Sequence, residues 1–140
     1  MDAIQRMRYQ ADILERSLVI LETKGHGRHY LKCPDESVCA LGAMETAVTG
    51  HTTYRAQVTY NGLVNEIAKL VCPNESNWRF GHSVGHLNDS LLFGRTRIRR
   101  RMRNKMNELR REAQILEDLR EVKLQNQVVT GDAHDYKMIK

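Results

Sequence analysis

The sequence predicts an all-α fold, a compact bundle of four to five helices whose last helix is long, basic and partly projects from the body. Three observations support this prediction. Apolar residues recur in steps of three and four over residues 3–22 and 96–127, which is the period of a helix. Hydrophobic residues make up 41% of 140 residues, enough for one core. Two prolines and nine glycines are too few for a low-complexity or collagen-like chain.

The first predicted helix covers residues 3–22 and is amphipathic. Polar side chains occupy the positions between its apolar ones, so that one face is suited to a core. The apolar positions are Ile4, Met7, Ala11, Leu14, Leu18 and Leu21. The segment 24–27, Lys-Gly-His-Gly, ends this helix.

Three shorter helices are predicted in the middle of the chain. They cover residues 38–48, 58–71 and 82–90. Asp35 and Ser37 are both candidate N-caps for the first of them, and Gly50 closes it. Pro73 stops the second.

The last predicted helix, residues 96–127 with Thr96 as N-cap, would be about 45 Å long. A small domain is narrower than this, so we expect part of the helix to project or to pair with a second copy in a homodimer. Its apolar residues fall in one arc: Ile98, Met102, Met106, Leu109, Ala113 and Leu116. Residues 128–140 show no periodicity and are predicted to be a flexible tail beside a single domain of residues 1–127.

The positive charge of the chain is concentrated in this last helix. The net charge of +5 is the sum of −1 over residues 1–94, +8 over residues 95–111 and −2 over residues 112–140. A basic first turn is unusual, because the positive end of the helix dipole favours acidic side chains there. Arginines four residues apart also repel each other, by about 0.2–0.5 kcal/mol per pair. Local conflicts of this kind are more often functional than accidental.

We therefore expect the basic segment to bind an anionic partner, in the first place the phosphates of DNA or RNA. Arginine suits bidentate contacts to phosphate or carboxylate. The residues assigned to this role are Arg97, Arg99, Arg100, Arg101, Arg103, Lys105, Arg110 and Arg111. The predicted function is that of a small, non-enzymatic binding or regulatory protein.

Two other interpretations of the same helix stay open. In one, the arginines form an ordinary solvated surface that the acidic residues of 1–94 partly neutralise. In the other, the protein modulates a host protein by docking the basic helix on an acidic surface. An exposed stripe of Met102, Met106 and Leu109 would then supply the apolar contact. The basic segment followed by Leu109 and Leu116 also resembles a leucine-zipper DNA-binding protein, but Lys123 ends that heptad pattern.

Two groups of residues have side chains of the types that bind metals. The first group is His26, His29, Cys33 and Cys39. Nitrogen and sulfur ligands could form a tetrahedral zinc site, although the spacing is not that of a zinc finger. The second group is His82 and His86, which would share one helical face. A packed cysteine and a polar surface are the more ordinary explanations, so we expect neither a metal nor a cofactor.

The arrangement most typical of an enzyme places Cys39 near a helix N-terminus, where the dipole would lower its pKa. His86, Asn88 and Asp89 follow it in the order found in thiol hydrolases. A cysteine among Ala, Leu and Gly is more often a small packing residue. We expect no catalytic residue and keep a thiol- or metal-dependent enzyme at Cys39, His86 and Asp89 as the alternative.

The sequence also bears on the location of the protein. It contains neither an apolar stretch of 18 residues nor a charged-then-apolar leader. The three cysteines are an odd number, which suits reduced thiols better than a disulfide framework. These features predict a cytoplasmic protein.

Residues 11–15 (Ala-Asp-Ile-Leu-Glu), 39–44 (Cys-Ala-Leu-Gly-Ala-Met) and 87–89 (Leu-Asn-Asp) carry three short motifs. Together they resemble a family of small uncharacterised proteins of actinobacteria and their phages, over roughly residues 8–110. In that family a Cys-Ala-x-Gly-Ala helix follows an N-terminal helix, and Trp-Asn-Asp precedes a final helix. Here Leu87 stands in place of the tryptophan, and the last helix is longer and richer in arginine.

The resemblance implies a small, mainly helical domain and suggests a phage setting, and it implies no activity. It gives Gly42 the role of letting another helix approach closely. It gives Asn88 and Asp89 capping or hydrogen-bonding roles, with Asp89 reaching back to free amides of a neighbouring helix.

Overall fold

A computed structural model describes residues 1–28, 31–52, 61–73 and 80–139, and the side chains of these residues except 80–83 and 128–139. Over these ranges the chain forms five helices and no named strand, which confirms the predicted all-α bundle. The helices are α1 (Ala3–Lys24), α2 (Ala40–Thr49), α3 (Gly62–Val71), α4 (Phe80–Asp89) and α5 (Gly94–Ile139). Among the helices so described, none has the length and apolar character that a membrane span requires.

α1 begins with a capping box and covers the predicted residues 3–22 and two more. The Asp2 carboxylate accepts a hydrogen bond from the Gln5 amide at 2.8 Å, and the Gln5 side chain accepts one from the Asp2 amide at 3.0 Å. This arrangement satisfies two amides that the first turn of a helix leaves without partners. Ile13 and Leu14 of the apolar face have no exposed surface.

α2 begins two residues later than predicted, because its N-cap is Cys39 and neither Asp35 nor Ser37. The Cys39 sulfur accepts a hydrogen bond from the Gly42 amide at 3.3 Å. Asp35 instead accepts hydrogen bonds from the amide (3.1 Å) and the hydroxyl (2.6 Å) of Ser37, which fixes a turn before the helix. The helix ends at Gly50, whose φ of 87° lies in the left-handed region.

The next two helices differ from the prediction only at their ends. α3 starts at Gly62, where the Asn61 side chain accepts hydrogen bonds from the amides of Leu63 and Val64. Residues 58–60 of the predicted third helix lie outside the described residues. α4 starts and ends slightly earlier than the predicted range 82–90.

α5 begins two residues before the predicted Thr96 cap and contains 46 residues, so it is about 69 Å long. Its first turn is closed by a hydrogen bond from the Arg97 amide to the Phe93 carbonyl at 2.9 Å. The helix continues through the segment predicted to be a flexible tail. The sequence explains this, since no proline follows Pro73 and Gly131 is the only glycine after the start of α5.

The core lies between the five helices. Each helix contributes fully buried apolar side chains, together with the connection before α2. They are Ile13, Leu14, Leu31, Leu41, Met44, Val64, Ile67, Val84, Ile98 and Met102.

α1 and α5 run antiparallel and form the most extensive contact of the bundle. Ion pairs mark the course of this contact, from Arg110 with Glu15 in the middle of α1 to Arg120 with Asp2 at its start. Residues 121–127 beyond this point are exposed. The last 19 residues of α5, which span about 28 Å, therefore extend past the start of α1.

Candidate functional site

The inner side of the basic half of α5 belongs to the core. Met102 has no exposed surface, Leu109 is 5% exposed, and Met106 packs beside them in a partly buried position. The prediction that these three residues form an exposed stripe is therefore wrong. The arc of α5 that carries them faces the rest of the bundle, so Met102 and Leu109 are not available to a partner and Met106 is only partly exposed.

Two of the residues predicted to bind an anion are already paired with carboxylates. The Arg110 guanidinium lies 2.8 Å from Glu15 and 3.2 Å from Asp12 of α1, and the hydrogen bond to Glu15 raises the pKa of Arg110. Lys105 lies 2.9 Å from Glu108 within α5. Such exposed pairs stabilise a fold by about 1 kcal/mol or less each, but they neutralise these two charges.

The outward side of the same segment carries five arginines, which we call the arginine face. Its members are Arg97, Arg100, Arg101, Arg103 and Arg111. All five are exposed, and none forms an ion pair with any residue in the described part of the chain. Arg101 also donates a hydrogen bond to the Cys72 sulfur at the end of α3, at 3.8 Å. The face spans about 21 Å of helix. Uncompensated positive charge is therefore concentrated on one side of one helix.

Arg99 belongs to the predicted set but is directed toward the body of the protein. Its Nη1 donates a hydrogen bond to Nδ1 of His26 at 2.6 Å, and the neighbouring Arg95 donates one to the His26 carbonyl at 3.1 Å. A guanidinium only donates, so Nδ1 must accept and the ring proton lies on Nε2. Nε2 in turn donates to the side-chain oxygen of Asn88. Arg99 therefore anchors the start of α5.

Asn88 is fully buried at the centre of this network. Its Oδ1 also accepts a hydrogen bond from the Ala40 amide, the first of α2, at 3.0 Å. Its Nδ2 donates to the Gly27 carbonyl and to the Asp89 carboxylate, each at 3.0 Å. All four hydrogen-bonding positions of the amide are used. The side chain that reaches back to a free helix amide is thus Asn88, whereas the resemblance assigned that role to Asp89.

His26 makes the stability of this network sensitive to acid. Burial lowers the pKa of His26 from 6.5 to about 4, and the charges of Arg99 and Arg95 act in the same direction. Between these pH values the unfolded chain binds a proton that the folded chain does not, so the free energy of unfolding falls as the pH decreases. We expect a loss of roughly 1–2 kcal/mol between pH 7 and pH 5, after allowing for the partial exposure of the ring.

Urea unfolding at pH 7 and pH 5 measures this loss. His26→Gln should abolish most of the difference between the two pH values. His86→Gln is the matched control, because His86 is exposed and has no hydrogen bond with the described residues. Equal pH dependence of the two variants would show that His26 is not the responsible group.

The surroundings of Cys39 differ from those expected of a catalytic thiol. Burial raises its pKa to about 12, although backbone amides of Gly42 and Leu41 hydrogen-bond to the sulfur. The predicted lowering by the helix dipole is wrong, because desolvation of the thiolate is the larger effect. His86 is exposed to solvent, and the Asp89 carboxylate accepts a hydrogen bond from Asn88.

Three of the side chains considered as metal ligands, those of His26, Cys33 and Cys39, have hydrogen-bond partners in the described structure. No group of three His, Cys, Asp or Glu side chains suited to a metal occurs among the described residues. Both ring nitrogens of His26 are hydrogen-bonded, and the Cys33 thiol donates to the Arg28 carbonyl at 3.5 Å. His29 and the side chain of His82 lie outside the described residues.

Gly42 makes a close contact, but with a connecting segment and not with the helix that the resemblance implied. A Cβ atom at position 42 would lie 2.0 Å from the carbonyl oxygen of Leu31. Real atoms cannot approach so closely, so only glycine fits here. This contact fixes the segment before α2 on the first turn of that helix.

Sequence reasoning missed an apolar tip beside the arginine face. Leu91, Leu92 and Phe93, which connect α4 to α5, are 86%, 72% and 81% exposed. Three consecutive exposed apolar residues are unusual on a domain surface. The run of three apolar residues between two predicted helices was the signal available in the sequence. The tip directly precedes the first turn of α5, so it lies at the end of the helix where the arginine face starts.

Comparison with known proteins gives one match. A family model described as a family of unknown function (DUF6197) matches residues 6–99. No curated protein and no solved structure matches the chain. The matched range includes the Asn88 network and the first turn of α5, whereas most of the arginine face follows it.

Proposed function

The chain belongs to this family of unknown function, and from its own residues we propose that it is a small binding or regulatory protein that holds nucleic acid on the arginine face. The observation that carries this proposal is the set of five exposed arginines without a carboxylate partner in the described structure. We propose a non-enzymatic role in the cytoplasm, with phosphate as the group recognised. The phage setting stays a prediction.

Phosphates provide the compensation that the helix itself lacks. Each phosphate that an arginine neutralises releases condensed counterions, which favours binding at low salt. The dipole at the start of α5 adds positive potential beside Arg97. Because the inner side of the segment is fixed in the core, the face is already helical before binding and little ordering is required.

Salt dependence is the most direct measure of this function. Fluorescence anisotropy with labelled single-stranded RNA, single-stranded DNA and duplex DNA would give the affinities. Five phosphate contacts predict that the logarithm of the association constant falls against the logarithm of salt with a slope between about −3.5 and −4.5. This corresponds to a loss on the order of 100-fold between about 50 and 200 mM salt. Weak binding whose association constant does not change with salt concentration would contradict the proposal.

A pair of charge-matched double variants tests whether nucleic acid binds at the arginine face. Arg100→Gln with Arg111→Gln should weaken binding roughly tenfold or more and lower the steepness of the slope by about 1.4 to 1.8. Arg16→Gln with Lys24→Gln removes the same charge from exposed positions of α1. This control should keep most of the affinity. Equal losses in the two variants would indicate a response to net charge alone.

The apolar tip favours a second candidate function, the modulation of a host protein. Its three exposed side chains lie at the end of α5 where the arginine face starts, and they replace the buried Met102 and Leu109 as an apolar contact. A partner with an apolar pocket beside acidic residues would match this surface.

The two candidates differ in which residues they need. If a host protein is the partner, one protein should stay bound to the chain after nuclease treatment of a lysate of the source organism. Leu91→Ser with Leu92→Ser should release it. The control Val19→Ser, which changes an exposed apolar residue of α1, should not release it. Recovery of nucleic acid alone would contradict this candidate.

A further inference from the structure

The distal half of α5 carries a second unpartnered surface, which we call the distal stripe. Ile115, Leu119 and Val122 are 51%, 59% and 52% exposed. At about 100° per residue they lie within about 60° of one another and roughly 130° around the helix from the buried side at Met102 and Leu109. The stripe therefore faces away from the bundle and needs a different partner.

The spacing of the distal stripe is that of a coiled coil. Steps of four and three place Ile115 at d, Leu119 at a, Val122 at d and Asn126 at a of a heptad. The amino-acid sequence continues the same steps at positions 129, 133 and 136, which are Val, Ala and Tyr. This register differs from the one through Leu109 and Leu116, which faces the bundle.

The flanking charges identify the partner and its direction. Asp118 occupies g and Lys123 occupies the following e position, and both are exposed without an ion pair to any described residue. In a parallel pair of identical helices, a g residue faces the e residue five positions later in the other copy, so Asp118 meets Lys123 twice. In an antiparallel pair like charges would meet. The sequence repeats this order with Asp at 132 and Lys at 137.

We propose that the chain self-associates through the distal stripe, with the α5 helices of the copies parallel and in register. A polar residue at a single a position, here Asn126, fixes the register, and Leu at a with Ile at d, as at Leu119 and Ile115, favours assemblies of more than two chains. The preceding a and d positions are Glu112, Glu108, Lys105 and Arg101, so the apolar contact starts at Ile115. This inference does not depend on nucleic-acid binding.

Parallel association has a consequence for the arginine face. The faces of the copies would start from the same end of the coiled coil and point in the same direction along the helices. Their like charges would repel, so the basic segments are expected to separate toward Gly94, with room for an anion between them. Self-association would therefore bring several arginine faces to one partner.

The mass of the full chain in solution tests the association. Light scattering and sedimentation equilibrium at several concentrations should give an oligomer. Leu119→Glu should reduce the mass to that of a monomer, with unchanged far-ultraviolet circular dichroism as the check on folding. Leu124→Glu is the matched control, since Leu124 is 54% exposed on the same helix but lies outside the a and d positions. A monomeric wild-type chain, or equal dissociation of both variants, would overturn the proposal.

Disulfide crosslinking tests whether the α5 helices of the copies are parallel. Leu119→Cys and Asn126→Cys, made separately, should both give crosslinked chains under mild oxidation, because equal positions meet in a parallel arrangement. In an antiparallel arrangement at most one of the two positions can meet its own copy. The wild-type chain is the blank, since Cys33, Cys39 and Cys72 are buried. Crosslinking at one position only, or at neither, would overturn the parallel arrangement.

Discussion

Replacing Gly42 by alanine is expected to lower the free energy of unfolding by about 3 kcal/mol or more, a large part of the roughly 5–15 kcal/mol typical of a domain. Helix propensity alone predicts that the substitution increases the free energy of unfolding, because alanine stabilises a helix interior by about 1 kcal/mol relative to glycine. The clash decides the sign, since the new Cβ would lie 2.0 Å from a backbone oxygen of Leu31. Backbone cannot move aside as the end of a flexible side chain can.

Urea denaturation followed by circular dichroism measures this effect. The matched control is Gly62→Ala in the first turn of α3, where a Cβ would meet no atom within 4 Å. That variant should be neutral or up to about 1 kcal/mol more stable. If Gly42→Ala keeps the wild-type unfolding midpoint, the close contact with Leu31 is not a feature of the folded protein.

The second large effect is expected at Asn88. Asn88→Ala would leave the Ala40 amide, the Gly27 carbonyl and the His26 ring without their partner at a fully buried site. Each unsatisfied buried group costs about 1–3 kcal/mol, so we expect a loss on the order of 4 kcal/mol. Thermal and urea unfolding would both show it.

Two comparisons make this prediction specific. Asn107→Ala changes the same residue type on the exposed side of α5 and should shift stability by less than about 1 kcal/mol. Asn88→Asp keeps the acceptor for Ala40 but places a carboxylate beside the Gly27 carbonyl and Asp89. It should destabilise the fold and raise the pKa of His26, which a proton NMR titration would detect. If Asn88→Ala is about as stable as the Asn107→Ala control, the role of Asn88 is contradicted.

The helical class of the fold could be predicted from the sequence because its signals are local. Steps of three and four between apolar residues identified α1 and the start of α5, and Pro73 marked the end of α3. The periodicity of α5 also selected Met102 and Leu109 correctly as one face. It could not say whether that face meets α1 or another molecule, since an apolar arc has the same pattern in both cases.

The network at Asn88 could not be predicted, because its members are far apart in the chain. Asn88 contacts Ala40 and His26 across 48 and 62 residues. No spacing rule connects such positions, and an isolated Asn-Asp pair is compatible with many roles. The same limit applies to the arginines: Arg97 and Arg99 are alike in sequence, and only the tertiary contact with His26 distinguishes the anchoring one from the exposed one.

The one-sided packing of α5 separates two kinds of evolutionary change. Substitutions on its inner side disturb the core and are removed by selection for folding. Substitutions on the arginine face, apart from Arg101 with its hydrogen bond to Cys72, change nearly nothing in the folded chain. Ligand preference can therefore diverge by ordinary point mutation while the bundle is retained. A designer could use the same separation to exchange the outward side chains for those of another binding surface on an unchanged scaffold.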